Sequence, residues 1–144
     1  MWQSIKQLRA RFCISLALLV LAPLGGRAGE LYIYEHNGSI MNWYVVGDHI
    51  RTMYETPRLG LAEAGITSGT VLFKGEYEGS RIIGIAYAFK RGCLPAPYSV
   101  IGYDSGDEIV LSGPAPVRTG CIVTRYSATS PHARLIFKYS ATHH

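Results

Sequence analysis

Short segments of strand-forming residues alternate with turn signals along most of this 144-residue chain, and that alternation limits the folds it can adopt. The segments recur at intervals of roughly 10 residues, which is typical of a β-sandwich or a small barrel. Runs of helix-favouring residues are almost absent. The sequence therefore predicts an all-β fold, a single small barrel or sandwich of about eight to nine short antiparallel strands with one disulfide.

Tight-turn pairs such as Asn37-Gly38 set the boundaries of the predicted strands, because Asn-Gly is the strongest short hairpin signal. Residues 59–66 are the one stretch where a short helical turn is expected. We expect the last two predicted strands to form a C-terminal hairpin. The predicted strands cover residues 31–36, 39–46, 49–55, 70–77, 81–90, 98–103, 108–112, 121–126 and 134–139.

The predicted strand 81–90 carries large and small side chains on opposite faces, because successive residues of a strand point to opposite sides. The large face comprises Ile83, Ile85, Tyr87 and Phe89, and the small face comprises Gly84, Ala86 and Ala88. We predict that the large face packs into the core. The small face then suits the close approach of another segment, or the inner side of a strongly curved strand.

The first 28 residues have the three parts of a secretory signal peptide. Residues 1–11 carry bases and no acid, residues 12–24 are almost wholly apolar, and small residues precede a cleavage site after Ala28. The apolar stretch is shorter than the ~20 residues that a membrane span needs. We therefore predict a signal peptide over 1–28, one domain over 29–144, and a periplasmic or secreted location without a transmembrane segment after cleavage. An uncleaved anchor or a buried helix is the alternative.

The basic character of the chain lies in the predicted signal peptide. This segment holds Lys6, Arg9, Arg11 and Arg27, so 10 of the 14 bases remain after cleavage beside all 10 acids. A domain with no net charge gives no reason to expect nucleic acid as a partner. It also has little electrostatic protection against self-association, and its oligomeric state stays open.

Two of the three cysteines, Cys93 and Cys121, remain after cleavage because Cys13 lies in the signal peptide. An exported chain reaches an oxidising compartment, so we predict that they form a disulfide. The bond closes a loop of about 29 residues and stabilises the fold by roughly 3 to 4 kcal/mol in the chain-entropy description. Two buried thiols or a metal pair are the alternatives. The chain has no Cys-x-x-Cys or His-x-x-x-His spacing, so we predict no metal and no cofactor.

Three polar residues around the first two hairpins are weak candidates for chemistry: His36, Ser39 and His49. With the neighbouring acids they could supply a nucleophile, a base and an orienting carboxylate. No Gly-x-Ser-x-Gly motif accompanies Ser39, so we assign no catalytic residue. The alternative is that the two histidines are exposed hairpin residues or hydrogen-bond a neighbouring carbonyl.

Aromatic and loop residues give the stronger hint of a binding surface. Tyrosine hydroxyls need a partner or water, so some of the tyrosines should reach the surface, where aromatic rings stack on sugars or anchor a protein. Alternatively, the tyrosines line a small barrel with their hydroxyls at its rim. The proline-containing loop 91–97, which we expect Cys93 to fix in place, is a second recognition candidate. The predicted surface comprises Trp43, Tyr44, Leu94, Tyr98 and Tyr103.

Several motifs resemble those of a group of small exported bacterial proteins, chiefly alphaproteobacterial, whose module is at times attached to caspase-like peptidases. The motifs are 36–41 (HNGSIM), 57–60 (PRLG), Gly65, 69–75 (GTVLFKG), 86–89 (AYAF), Cys93, 97–98 (PY), 111–116 (LSGPAP) and Cys121. The match covers nearly all of residues 29–144. The resemblance implies a periplasmic location and brings no catalytic residue with it.

Two function classes follow from these features. The first is a non-enzymatic exported binding or structural module whose partner is a periplasmic protein or a cell-wall glycan such as peptidoglycan. The second is a small periplasmic hydrolase that uses His36 or His49. Export, a rigid β scaffold and abundant tyrosine favour the first.

Overall fold

A computed structural model describes residues 29–140 of the protein; the predicted signal peptide and its cleavage site after Ala28 lie outside this range. Within it the chain forms ten β-strands and two short 3-10 turns, Leu61–Ala64 and Pro131–Ala133. No helix in residues 29–140 has the length and apolar character needed to cross a bilayer. The strands are β1 (Glu30–His36), β2 (Ser39–Val46), β3 (His49–Thr56), β4 (Val71–Glu78), β5 (Arg81–Ala88), β6 (Ala96–Asp104), β7 (Glu108–Ser112), β8 (Ala115–Thr119), β9 (Ile122–Ser127) and β10 (Arg134–Tyr139).

Eight of these strands close into an antiparallel barrel. Each strand from β1 to β6 pairs with the next in sequence, and β10 closes the barrel between β7 and β1. Closure leaves no unpaired strand edge, which is the usual hazard of a sheet. The prediction of an all-β fold is confirmed, and the architecture is a barrel.

The remaining strands, β8 and β9, form a two-stranded sheet outside the barrel, which we call the arm. The predicted strands do not include β8, which contains Pro116. A proline fits in a two-stranded sheet where its missing N–H is not needed for pairing. The predicted C-terminal hairpin is wrong, since β9 pairs with β8 and β10 pairs with β7 and β1.

The barrel interior is built on large aromatic side chains. Trp43, Phe73 and Phe137 are completely buried, with Trp43 stacked on Phe73 at 5.9 Å between ring centroids and edge-on to Phe137 at 5.2 Å. Tyr34 adds a fourth ring, 5.5 Å from Trp43. Aromatic rings bury large areas and prefer such offset and edge-to-face packing. Smaller buried side chains fill the rest: Met41, Ile50, Ile82, Ile109, Leu111 and Leu135.

The faces of β5 are the reverse of the prediction. Its buried residues include Ile82, Ala86 and Ala88, whereas Ile85 is exposed. The reason is Phe73, whose ring lies over Gly84: a Cβ added there would stand 2.7 Å from Phe73 Cε2 and 2.3 Å from the Lys74 carbonyl oxygen. The small face therefore points inward to accept an aromatic ring.

Candidate functional site

The predicted disulfide between Cys93 and Cys121 is present, with the two Cα atoms 5.2 Å apart. It joins the loop after β5 to the turn between β8 and β9. The bridge therefore fixes the 91–97 loop to the arm, rather than to a C-terminal hairpin. This position, outside the barrel, makes it a brace between two surface segments.

Charged side chains reinforce the same junction. Arg118 on β8 donates from Nη1 to the Leu94 carbonyl oxygen at 2.9 Å and from Nη2 to the Ala88 carbonyl oxygen at 2.8 Å. From the opposite side, Lys90 Nζ donates to the Gly120 carbonyl oxygen at 2.9 Å. Hydrogen bonds from charged donors are stronger than neutral ones. The arm tip is thus held by one covalent bond and two hydrogen bonds to the loop after β5, and by a third hydrogen bond to the end of β5 itself.

Apolar side chains are exposed around this braced junction. Leu94 follows Cys93 and is 86% exposed, and Ile122 follows Cys121 and is 72% exposed. Tyr126, also exposed, lines a shallow groove between the arm and the barrel wall. A rigid exposed apolar cluster is a common mark of an interaction site. We call this cluster the arm surface; it comprises Ile85, Leu94, Pro97, Ile122 and Tyr126.

The segments that carry the arm surface are cationic. Residues 89–103 and 113–133 contain no acid and four bases, Lys90, Arg91, Arg118 and Arg125. Residues 29–144 carry equal numbers of bases and acids, so the rest of that range holds an excess of acids. Positive potential is therefore concentrated around the arm surface, which gives it a preference for negatively charged partners.

The structure does not bring the five predicted surface residues together. Trp43 is completely buried, so its assignment to a binding surface is wrong. Tyr98 is 4% exposed but lines the shallow groove between the arm and the barrel wall. Both occupy inward-facing positions of barrel strands, and the Tyr98 hydroxyl donates to the His132 carbonyl oxygen at 2.6 Å.

The other three predicted residues lie apart from one another. Tyr44 is half-buried on β2, and Tyr103 is exposed near the far end of β6. Leu94 alone belongs to the arm surface. Sequence reasoning missed Ile122, although a bridged pair of cysteines places the residues that follow them near each other, and this signal could have identified it.

His36 is a buried residue at the end of β1. Its Nδ1 lies 2.9 Å from the Ile136 carbonyl oxygen, and its ring stacks on Phe137 at 4.7 Å between centroids. Because a carbonyl only accepts, Nδ1 carries the proton and Nε2 keeps a lone pair. Burial lowers the pKa of the imidazole, an effect that the bond to Ile136 partly opposes. The alternative interpretation, a histidine bonded to a backbone carbonyl, is confirmed for this residue.

Ser39 and His49 do not complete a catalytic arrangement with His36. The Ser39 hydroxyl accepts a hydrogen bond from the Arg58 backbone N–H at 2.9 Å, and none of the side-chain hydrogen bonds of residues 29–140 joins Ser39 to His36. His49 is exposed at the start of β3, at the opposite end of the barrel. A nucleophile needs a base within hydrogen-bond reach, and these three residues provide no such pair.

Two further observations bear on the chemistry of the chain. Within the described range, no three His, Cys, Asp or Glu side chains are grouped closely enough to hold a metal ion. Comparison of the chain with protein-family models, with curated proteins and with solved structures gives no match. The resemblance to exported alphaproteobacterial proteins therefore stays a prediction.

Proposed function

We propose that the protein is an exported, non-catalytic binding domain that docks a protein partner through the arm surface. The observation that carries the proposal is the exposed apolar cluster around the disulfide, where Leu94 and Ile122 stand out on segments braced by Arg118 and Lys90. A rigid surface loses little conformational entropy on binding, so apolar contacts there translate more fully into affinity.

The composition of the arm surface favours a protein over a cell-wall glycan. Ile85, Leu94 and Ile122 are aliphatic, and Tyr126 is its one aromatic residue. An aliphatic or aromatic anchor can fill a pocket of a protein partner, whereas stacking on a sugar ring requires an aromatic face. The cationic surroundings further select a partner whose contact region is acidic.

Export is part of the same proposal. The support is the signal-like segment 1–28 and a disulfide of the kind that persists in oxidising compartments. Every strand of the barrel and the arm lies between Glu30 and Tyr139, so cleavage after Ala28 removes none of them. Mass spectrometry of the protein recovered from the host should give a chain that starts at Gly29. A chain that retains residues 1–28 in the cytoplasm would contradict export.

Site-specific photo-crosslinking in the host tests the docking surface. A photoreactive amino acid replaces Leu94 or Ile122 in the full chain, and Leu59 serves as the matched control. Leu59 is 97% exposed, more than either test position, and it lies after β3, two strands from β5 around the barrel. We expect one discrete protein adduct from positions 94 and 122 and none from position 59. Equal labelling at all three positions would indicate nonspecific contact of exposed apolar side chains and would contradict a docking site at the arm surface.

Charge reversal tests the acidic character of the partner. Arg91→Glu with Arg125→Glu should abolish the adduct at position 94, because like charges then oppose each other. Arg51→Glu on β3 is the control and should leave the adduct unchanged.

Sedimentation of the purified protein with peptidoglycan tests a glycan partner. If peptidoglycan retained the wild type but not Leu94→Asp, the arm surface would bind a glycan, and the proposal of a protein partner would be wrong.

A further inference from the structure

A cavity of about 240 Å³ lies at the end of the barrel where β1 ends, and we call it the end cavity. The two 3-10 turns, Leu61–Ala64 and Pro131–Ala133, contribute to its wall together with His36. Asn37 and Arg58 also line it and are exposed, so the cavity reaches solvent on their side. Mouths of small β-barrels are frequent places for a single small ligand.

Most of the wall is apolar or aromatic. It includes Ile66, Leu72 and Leu135, which are buried, and Phe89, which packs against the core. An apolar cavity of about 150 Å³ holds a benzene ring. The larger volume of the end cavity, about 240 Å³, therefore suits a ring with a short chain, or an alkyl chain of comparable size.

The charge in the wall of the end cavity is positive and comes from Arg58. Among residues 29–140, no carboxylate lines the end cavity, and Arg58 is the one arginine or lysine in its wall. The ion pair found within residues 29–140 joins Arg81 to Glu78, so the Arg58 guanidinium has no carboxylate partner in that range. Its backbone N–H, not its side chain, makes the bond to Ser39. The guanidinium is thus available to an anion at the mouth.

Tyr54 supplies a second donor in the same wall. Burial raises the pKa of its hydroxyl to about 12, and the nearby Arg58 charge opposes this only in part. The hydroxyl therefore stays protonated at neutral pH. The Tyr54 hydroxyl takes part in none of the side-chain hydrogen bonds of residues 29–140, whereas the Tyr98 hydroxyl donates to the His132 carbonyl oxygen. The donor is free to meet an acceptor on a ligand.

We propose that the end cavity binds a small monocarboxylate with an apolar body, its carboxylate at Arg58 and its body against the apolar wall. An aromatic ring and a short alkyl chain both have the required chemistry, and the experiment below separates them. This site uses none of the residues of the arm surface, so it stands or fails independently of the docking proposal.

Titration of the isotope-labelled protein, followed by amide NMR, tests the ligand class. Octanoate and 3-phenylpropionate are the probes for the alkyl and aromatic bodies, and octylamine is the control that keeps the alkyl chain but reverses the charge. We expect saturable shifts of amides around Tyr54 and Ile66 with at least one carboxylate, with a dissociation constant of about 1 mM or below. Octylamine should give no saturable shift there.

Two substitutions assign the effect to the end cavity. Arg58→Gln removes the charge at an exposed position and should weaken carboxylate binding about tenfold or more. Arg51→Gln, an exposed arginine on β3 that does not line the cavity, is the matched control and should change nothing. Ala64→Phe places a ring in the cavity wall and should abolish binding while the spectrum of a folded barrel is kept.

Four results would overturn the proposal. These are absence of saturable binding by either carboxylate, equal binding of octylamine, equal losses in Arg58→Gln and Arg51→Gln, and shifts confined to the arm surface. The last result would indicate that the probes adsorb on exposed apolar side chains. None of these outcomes alters the photo-crosslinking at positions 94 and 122, so the two proposals fail separately.

Discussion

Thr52 Oγ1 is buried inside the barrel and has no hydrogen-bond partner among residues 29–140. Trp43 and Thr52 stand opposite each other on β2 and β3. A buried polar atom without a partner loses its hydration and gains nothing in return. The barrel therefore tolerates a local energetic cost at the buried Thr52 hydroxyl.

Replacement of the Thr52 hydroxyl should stabilise the protein. Thr52→Val keeps the branched shape and removes the unsatisfied group, so we expect the free energy of unfolding to rise by about 1 kcal/mol. Urea denaturation measures the change, and Thr56→Val at the exposed end of β3 is the control. A loss of stability in Thr52→Val would mean that the hydroxyl has a partner, such as a buried water.

His36 should make stability depend on pH. Its pKa in the folded protein is lowered, chiefly by burial, with Arg58 and His132 adding to the effect and Glu35 opposing it. The unfolded chain therefore binds more protons as pH falls below about 6.5. The contribution of His36 is complete above that pH and is lost progressively below it.

Urea denaturation near neutral pH and at about pH 5 measures this linkage in the wild type and in His36→Asn. Asparagine keeps a donor for the Ile136 carbonyl but does not titrate, so the loss of stability on acidification should be smaller in the variant. The exposed His49→Asn is the control and should keep the wild-type slope. Identical slopes in all three proteins would remove His36 as a source of the pH dependence.

At the scale of elements, β4 and β5 meet at a pair of glycines. Gly75 and Gly84 are register partners, and the ring of Phe73 lies against both. A Cβ on Gly75 would stand 2.2 Å from the Ile83 carbonyl oxygen and 2.4 Å from Phe73 Cζ. The two strands therefore depend on glycine at this crossing, because both backbone and ring occupy the space of a side chain.

Gly84→Ala should destabilise the protein by about 2 kcal/mol, since overpacking forces backbone or ring to move. Thermal unfolding measures the loss. Gly29→Ala makes the same chemical change before β1, where the nearest atom to the added Cβ is a Val46 methyl at 3.1 Å. That variant should change stability far less, and comparable losses in the two would refute the packing explanation.

At the scale of the whole molecule, the disulfide encloses β6, β7 and β8 in one covalent ring. The bonded cysteines are 28 positions apart. A ring of this size contributes roughly 3 to 4 kcal/mol by restricting the unfolded chain. Cys93→Ser with Cys121→Ser should therefore lower the free energy of unfolding by about this amount.

The double variant should also become sensitive to proteolysis in the 91–97 loop, while the far end of the barrel stays protected. Arg118→Met provides the comparison, since it removes the two hydrogen bonds that Arg118 donates and keeps the disulfide. We expect it to loosen the arm with a smaller loss of global stability. Unchanged melting of the double cysteine variant would contradict a stabilising role for the bridge.

Much of this fold was predictable because its signals are local. Strands β2 and β7 match their predicted bounds, since Asn37-Gly38 and the segment 104–107 mark the turns beside them. The orientation of β5 was not predictable in the same way. It depends on Phe73 from the neighbouring strand, and alternation alone gives two faces without saying which is inside.

The site was less predictable than the fold. Cys93 and Cys121 indicated the brace, because export and an even cysteine count point to a bond. Trp43 was assigned to the surface because aromatic residues occur in both cores and interfaces, and one chain alone does not separate these roles. The position of Tyr126 beside Ile85 and Pro97 could not be predicted, because it depends on the tertiary pairing of β9 with β8.

The arm has a simple relation to the barrel that bears on how its binding could change. Ser112 at the end of β7 pairs directly with Arg134 at the start of β10, so residues 113–133 leave and rejoin the barrel at adjacent positions. The whole arm is an elaborated hairpin loop, and the barrel closes without its strands. The barrel thus serves as a host and the arm as a graft. Its recognition residues can be lengthened, shortened or exchanged without altering a single strand pairing of the host.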